Sequence, residues 1–323
     1  MTHRDLNEAV SLFTNRYREQ RRHTPNLPAR HEDPQQILPL LQDLLEKSSG
    51  VVAVDGNRLC GYLIGMVVTE LKGIQKGVYV PEWSHSAQPE GSTSIYQRMY
   101  ESLAANWVGK GCYSQAVTVF AHDLALKEMW FKYAFGMLVT DAIRPIEPPL
   151  EAPMAEGIAI RRATPADAGV ALSLAQELES YLAGSPIFLG GRRQENAEDK
   201  ERWLSNQQNA IFLAIHQGKA VAYLKGQTAE GNACHVVTDP KTLAVTGAYT
   251  MPAFWGKGIA TALLNVMLTW GRDQGYQQSS VDFETQNVSG SRFWHRHFQP
   301  VCHSLIRRVD ERVGLHMAQS ESG

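Results

Sequence analysis

At 323 residues and 43% hydrophobic content, the chain is expected to fold as about two globular domains with proper cores. Its 31 Lys plus Arg against 33 Asp plus Glu give a formal net charge of -2, which argues against a nucleic-acid or membrane-surface partner. Cys60, Cys112, Cys234 and Cys302 form no Cys-x-x-Cys pair, so packed, reduced thiols are expected in place of a zinc or redox site.

The N-terminal stretch MTHRDLNEAV lacks the apolar segment of a signal peptide, and no apolar run reaches transmembrane length; a cytoplasmic location with no membrane partner is expected. Leu6, Val10, Phe13 and Tyr17 recur at helical spacing and predict a first helix. AVDGNRLCGYLIG, ending at Gly65, reads as two strands around a tight turn at Asp55-Gly56. EWSHSAQPEGSTS, residues 82–94, leads into a helix that starts near Ser92 and carries Trp107. A strand, Asp123 and the segment HDLALKEMWFKYAFG follow, its aromatics read as core.

RPIEPPLEAP, residues 144–153, holds four prolines, which forbid a continuous helix and predict an extended connector. This divides the chain into a domain over residues 1–145, a Pro-rich linker over 146–155 and a second domain over 156–323. The second domain's first helix is expected after Thr164-Pro165-Ala166-Asp167, which supplies a cap, a first-turn proline and an early acid. Val170, Leu174, Leu178 and Tyr181 form its predicted buried face. GGRRQENAEDKERW, residues 190–203, reads as a solvated loop and helix start.

A second hairpin, AIHQGKAVAYLKG, ends at Gly226 and repeats the first at an offset of 161 residues, with Gln217-Gly218 as its turn. Trp107 and Trp270 lie 163 apart, and Asp123 and Asn287 lie 164 apart, so the halves read as relatives. Each half is expected to run strand, helix, hairpin, strand, glycine turn or its substitute, helix, strand, helix, strand. The repeat fails where EWSHSAQPEGSTS replaces the short turn MPAFWGKGIA: 26 residues separate Pro81 from Trp107, against 18 between Pro252 and Trp270.

With Ala244 to Met251 as a strand and Ile259, Leu263, Val266, Met267 and Trp270 as the buried stripe of the next helix, Gly256 and Gly258 fall where strand turns into helix. Unpaired backbone N–H groups and the positive helix end then converge on one spot suited to phosphate or pyrophosphate. A glycine connector with no ligand is the plainer alternative. The sequence has no G-x-x-x-x-G-K-[ST], and Thr261 stands where a dinucleotide fingerprint needs glycine.

Pro252-Ala-Phe-Trp-Gly256-Lys-Gly258-Ile-Ala260, the strand SSVDFET and N287VSGSRFW294 together resemble the signature of the GNAT superfamily of acyl-CoA-dependent N-acetyltransferases. The resemblance covers residues 158–315 by motif and the N-terminal half by repeat only. It implies an α/β (α+β) chain of two tandem GNAT-like domains, each a mixed, mainly antiparallel sheet flanked by helices, with the first half degenerate. It further implies that acetyl-CoA is the co-substrate. Ala248, Tyr249 and Thr250 would bind the pantetheine arm, and Trp255, Gly256, Lys257, Gly258, Ile259, Ala260 and Thr261 the pyrophosphate, with Asn287 and Trp294 closing the site. Two positions depart from the family: Trp255 stands where Arg or Gln is usual, and Trp294 where a Tyr is usual, which removes a hydroxyl proton donor.

In the reaction so implied, the Thr250 N–H polarises the thioester carbonyl. Strand alternation puts Asp282 and Glu284 on one face, and Asp282, five residues before Asn287, is the first candidate for the base that deprotonates a primary amine acceptor. The alternative for both carboxylates is a solvated strand face. With the usual Tyr missing, the proton for the leaving thiolate is left to Tyr249, His295 or water. Two further readings stand beside an acetyltransferase: a non-catalytic acyl-CoA-binding regulatory module, and a Fem-type aminoacyl transferase, against which the intact GKGIA argues. The N-terminal half is expected to bind no coenzyme, with residues 84–91 folding across the groove between the halves.

Overall fold

The computed structural model describes residues 1–147, 156–191, 195–231 and 234–314. Helix α1 (Leu6–His23) buries Leu6, Val10, Phe13 and Tyr17 along the predicted stripe. Helix α2 (Pro34–Lys47) starts from Asp33, whose carboxylate accepts the Gln35 N–H, with proline in its first turn. A hairpin follows, β1 (Gly50–Asp55) and β2 (Arg58–Ile64). Its turn is Gly56-Asn57, one place later than the sequence predicts, because Asp55 pairs directly with Arg58. Then come β3 (Met66–Val68), β4 (Gly77–Val80), β5 (His85–Ala87), α3 (Ser92–Gly109), β6 (Ser114–Phe120), α4 (Leu124–Lys132) and β7 (Gly136–Pro145).

The second half runs β8 (Ile158–Arg162), α5 (Ala168–Ala183), α6 (Ala197–Ser205), β9 (Ala210–His216), β10 (Lys219–Thr228), β11 (Thr242–Thr250), α7 (Ile259–Asp273), β12 (Gln278–Glu284), α8 (Val288–His297) and β13 (Gln299–Arg308). Gln217-Gly218 forms the β9–β10 turn, with His216 opposite Lys219. Helix α5 buries Ala168, Ala171 and Leu174, whereas Val170 is 42% exposed. The predicted stripe is thus corrected at its first residue: small alanines, silent in a search for large apolar side chains, carry the buried face. Among the described residues no helix is long and apolar enough to cross a membrane.

The chain divides into two units. Unit 1 comprises Met1–Asp141, Cys234–Val236 and the chain from Pro300; unit 2 comprises the rest of Ala142–Gln299. The domain limits read from the sequence are corrected accordingly. β13 belongs to unit 1, where it pairs antiparallel with β6 from Cys302 opposite Phe120 to Arg308 opposite Ser114. Arg144 and Pro145 close strand β7, and residues 148–155 of the expected linker lie outside the described residues.

In unit 1, β1, β2 and β5 form a three-stranded antiparallel sheet, and β3, β4, β6, β13 and the first part of β7 lie side by side in that order. No strand precedes α1 among the described residues, contrary to the order expected for this half. Within residues 84–91, Ser84, His85 and Ser86 are fully buried, and β5 pairs with β2 from Gly61 opposite Ala87 to Leu63 opposite His85. β4 and β6 run parallel over only four pairs, Gly77–Val80 against Ser114–Val117. Just beyond, the His85 Nε2–H donates to the Thr118 carbonyl at 2.8 Å, which leaves Nδ1 to accept from the Tyr96 hydroxyl, also at 2.8 Å. Burial, seconded by the Arg16 charge, lowers the His85 pKa to about 3 and keeps the ring neutral.

Glu82, three residues before His85, is 1% exposed, with Oε1 accepting the Val236 N–H at 2.9 Å and Oε2 without a partner among the described residues. Burial pushes its carboxyl up to about 7 from the ordinary 4.5, against the pull of the Val236 N–H. Folding therefore favours the protonated acid. Stability on this account is full below about pH 4.5 and declines as pH rises toward 7, because the unfolded chain ionises first. Glu82→Gln is expected to flatten that decline, so that urea midpoints of variant and wild type agree at about pH 4 and the variant is higher at about pH 8.

Unit 2 has the order β8-β9-β10-β11-β12, antiparallel until β12, which runs parallel to β11; the last part of β7 lies next to β12. Ile259, Leu263, Leu264, Met267 and Leu268 of α7 pack on one face with Val245, Val281, Trp294 and Phe298. Ala171 and Leu174 of α5 cover the other face with Leu213, Tyr223 and Tyr249. The α7 and α5 residues that meet the sheet follow helical spacing, and the strand residues alternate away from bulges such as the one in β10, where Val221 and Ala222 both join the α7-side core.

Candidate functional site

Strands β11 and β12 pair over only four residues, Thr242–Val245 against Gln278–Val281. At that point β11 carries one extra residue, Thr246, between Val245 opposite Gly226 and Gly247 opposite Lys225. Such a bulge bends its strand, and past it β11 keeps its ladder with β10 alone. The Met251 N–H donates to Val221 of β10 at 2.9 Å. Successive N–H groups of a strand point to opposite edges, so the Thr250 N–H faces the opened side. Its carbonyl points the same way and accepts the Trp255 indole N–H at 2.6 Å.

Beyond β11 the chain enters the glycine turn, where Gly256 and Gly258 have φ of +75° and +76°. These left-handed values are easy for glycine and costly for other residues. Gly258 caps α7; the first helical bond runs from the Ala262 N–H to the Gly258 carbonyl, and no side chain caps the helix. The N–H groups of Ile259, Ala260 and Thr261 lie in that uncapped first turn, where the helix dipole adds its positive end.

Two cavities meet at this opening. The first, about 560 Å³, is lined by Ala248, Tyr249, Thr250, Trp255, Gly256, Lys257, Gly258, Ile259, Ala260, Thr261, Asn287 and Trp294, together with Tyr181, Tyr223, Arg292 and Arg296. Its charged lining residues are Lys257, Arg292 and Arg296, all cationic. The second, about 510 Å³, is lined by Asp282 and Glu284 and also by Glu179, Glu195, Lys200 and Lys225. Leu178, Tyr223, Ala248, Asn287 and Trp294 border both.

The sequence-read residues thus gather at one place. Asn287 caps α8, its Oδ1 accepting the Gly290 N–H and the Tyr181 hydroxyl, each at 3.1 Å. A Cβ at Gly290 would stand 2.6 Å from Asn287 Nδ2, so glycine there makes room for the cap. Asp123 caps α4 in the same manner, accepting the Leu126 N–H at 3.0 Å. Trp294 is buried, edge-on to Phe293 and Phe298. Tyr249 turns its ring into the α5-side core; burial, with the Glu177 carboxylate next, raises its pKa. Asp282 and Glu284 share the strand face that the alternation assigns them and border the second cavity, as do their neighbours Val281 and Phe283, which are buried in the α7-side core.

Sequence reading missed several lining residues. Arg292 and Arg296 are four apart on α8, and that spacing marks one helical face. Lys200, taken for part of a solvated stretch, is 4% exposed and paired with Glu195, which also lies 4.0 Å from Lys225. Burial pushes the Glu195 carboxyl up, and the hydrogen bond from Lys200 with the Lys225 and Lys200 charges outweighs it, for a net downward shift. Within GGRRQENAEDKERW, residues 192–194 lie outside the described residues. Tyr223, on the same sheet face as Tyr249 and opposite it in the ladder, had no motif to announce it.

Residues 175–298 match the model of the Acetyltransferase (GNAT) family. No curated protein matches the chain significantly. Among solved structures, a GCN5-related N-acetyltransferase from Sphaerobacter thermophilus is 16% identical, with 85% of each chain covered and a TM-score of 0.53. A GCN5-related N-acetyltransferase from Kribbella flavida is 12% identical over 85% of this chain and 95% of its own, with a TM-score of 0.46. An aminoglycoside N-acetyltransferase solved with CoA is 17% identical over 43% of this chain and 88% of its own, with a TM-score of 0.34. The first of these likenesses is one of fold, and it extends over both units.

Proposed function

With residues 175–298 a GNAT acetyltransferase domain, we propose that the protein is an acetyl-CoA-dependent N-acetyltransferase acting on a primary amine, with its active site in unit 2. One observation carries this reading: the cavity at the glycine turn has only cationic charged residues, and the cavity it meets holds four carboxylates against two lysines. A polyphosphorylated coenzyme suits the first and an amine the second. Their shared border is where thioester and amine would meet.

In this mechanism the uncapped N–H groups of Gly256 to Thr261 hold the pyrophosphate, with Lys257, Arg292 and Arg296 neutralising charge at the rim. Ala248 to Thr250 receive the pantetheine arm as an added strand on the open edge of β11. The Trp255 indole occupies the Thr250 carbonyl and so stands beside that edge. Asp282, with Glu284 next on the same face, takes the proton of the amine. The amine nitrogen attacks the thioester carbon as the Thr250 N–H stabilises the oxygen that gains charge. Collapse expels the thiolate.

We read unit 1 as a degenerate copy of the same fold. Its four-pair parallel ladder, β4 with β6, opens where β11 and β12 open in unit 2, and His85 fills that opening by bonding the Thr118 carbonyl. Isothermal titration is therefore expected to find one coenzyme A site per chain; two equivalent sites would refute the asymmetry. The buried Trp294 in place of a hydroxyl-bearing residue favours a second reading, a non-catalytic acyl-CoA binder. Release of free thiol from acetyl-CoA in a mixture of polyamines, aminoglycosides, amino acids and peptides separates the two. An acetyltransferase releases it in step with amine acetylation, and a binder does not.

A further inference from the structure

The leaving sulfur needs a hydrogen-bond donor that Trp294 does not supply as a hydroxyl. We propose that the Tyr223 hydroxyl fills this role, donating to the coenzyme sulfur as the thioester breaks. The proposal rests on the acetyltransferase reading.

Of the five residues bordering both cavities, Leu178 and Ala248 have no polar side-chain atom. Asn287 is committed to capping α8 and to the Tyr181 hydroxyl. Tyr223 is 4% exposed and lines both cavities, and burial with the Glu195 and Glu179 carboxylates, with no hydrogen bond among these influences, sets the state of its hydroxyl. That hydroxyl therefore borders the place where the reactants would meet.

Gly247 supplies the second observation. It lies in extended β11, outside the left-handed region, so its backbone makes no demand for glycine. A Cβ there would come 3.1 Å from the Tyr223 hydroxyl and 3.3 Å from its ring edge. Glycine at 247 thus keeps room for the tip of Tyr223 one residue before Ala248, on the strand that would receive the pantetheine arm.

Burial first, then the Glu195 and Glu179 carboxylates, holds the Tyr223 hydroxyl well above the usual tyrosine range. Lys225 and Lys200, also bordering the second cavity, are paired with Glu195. The hydroxyl accordingly stays protonated and acts as a donor without giving up its proton. The balance is then simple: the nitrogen–carbon bond forms, the carbon–sulfur bond breaks, and its electron pair goes to sulfur. Asp282 takes one ammonium proton before the attack, and the second, released from the nitrogen as the intermediate collapses, goes to solvent water. The thiolate leaves hydrogen-bonded to Tyr223 and is protonated in solvent, its ordinary pKa being about 8.5.

Coenzyme A and desulfo-coenzyme A, which lacks the sulfur, distinguish this role from a packing role when their affinities are measured by calorimetry at about pH 9. Wild type is expected to prefer coenzyme A by about tenfold, as for a hydrogen bond to a charged atom. Tyr223→Phe should bind both alike, with desulfo-coenzyme affinity unchanged within about twofold. Gly247→Ala, which keeps the hydroxyl but displaces it, should fall between. Turnover of acetyl-CoA with an accepting amine should drop by about tenfold in Tyr223→Phe at constant KM for acetyl-CoA. Full retention of the sulfur preference in Tyr223→Phe overturns the proposal, and its loss in Trp294→Phe alone would assign the donor to the indole instead. If wild type binds neither coenzyme, the acetyltransferase reading falls together with the proposal.

Discussion

Gly258→Glu is expected to lower coenzyme A affinity by at least about a hundredfold while the protein stays folded. The glutamate would place a negative charge at the uncapped start of α7, at the spot where the N–H groups of Ile259 to Thr261 and the positive helix end converge. A carboxylate within a few ångströms of a pyrophosphate at the protein surface costs on the order of 3 kcal/mol, which is about a hundredfold in affinity. The backbone at φ +76° adds strain for any side chain. Gly258→Gln shares that strain and nearly the same bulk, so the difference between the two variants isolates charge. If Glu and Gln weaken coenzyme equally, the turn holds no phosphate; if neither weakens it, the coenzyme lies elsewhere. Thermal unfolding of both variants checks that the fold persists.

Legibility in the sequence followed the range of the forces involved. The glycine turn and the Asp282–Glu284 face are set by residues within a few positions of one another, so their spacing announces them. The hairpins were legible for the same reason, apart from the one-residue turn shift at Asp55, where cross-strand pairing with Arg58 decides. Long-range choices left no such trace. β13 finds its partner in β6, about 190 residues away, because its apolar alternation fits any half-buried sheet edge. The same holds for residues 84–91. Their Ser and His look solvated in sequence, and burial is eased where Ser84 bonds the Ile64 carbonyl and His85 bonds Thr118 and Tyr96, while the buried Ser86 hydroxyl has no partner among the described residues.

The proposed site divides along the same line. The half proposed to face phosphate is backbone geometry and reads directly from glycines. The half proposed to meet the acceptor is built from single side chains on α5, the chain before α6, β10 and β12: Glu179, Glu195, Tyr223 and Asp282. No short spacing links residues on four elements. Only Asp282 could be singled out beforehand, through strand alternation together with the GNAT resemblance, which implies a carboxylate base five residues before the Asn.

Asp282→Asn is expected to leave coenzyme A affinity within about twofold of wild type and to lower turnover on the order of a hundredfold near neutral pH. Asp282 borders the second cavity and not the first, so the substitution should not disturb the phosphate-facing residues. An acceptor amine with a pKa near that of a lysine, about 10.4, is almost wholly protonated at neutral pH and cannot attack. A carboxylate within reach, directly or through one water, removes that proton; asparagine cannot. As pH rises toward the amine's own pKa, solvent performs the deprotonation and most of the deficit should disappear, giving the variant a rate that climbs about tenfold per pH unit where wild type is nearly flat. A deficit independent of pH would mean that Asp282 positions the acceptor and does not move its proton. Equal activity of the two proteins at neutral pH would transfer the role to Glu284, its neighbour on the same strand face, and Glu284→Gln would then be expected to show the climbing profile.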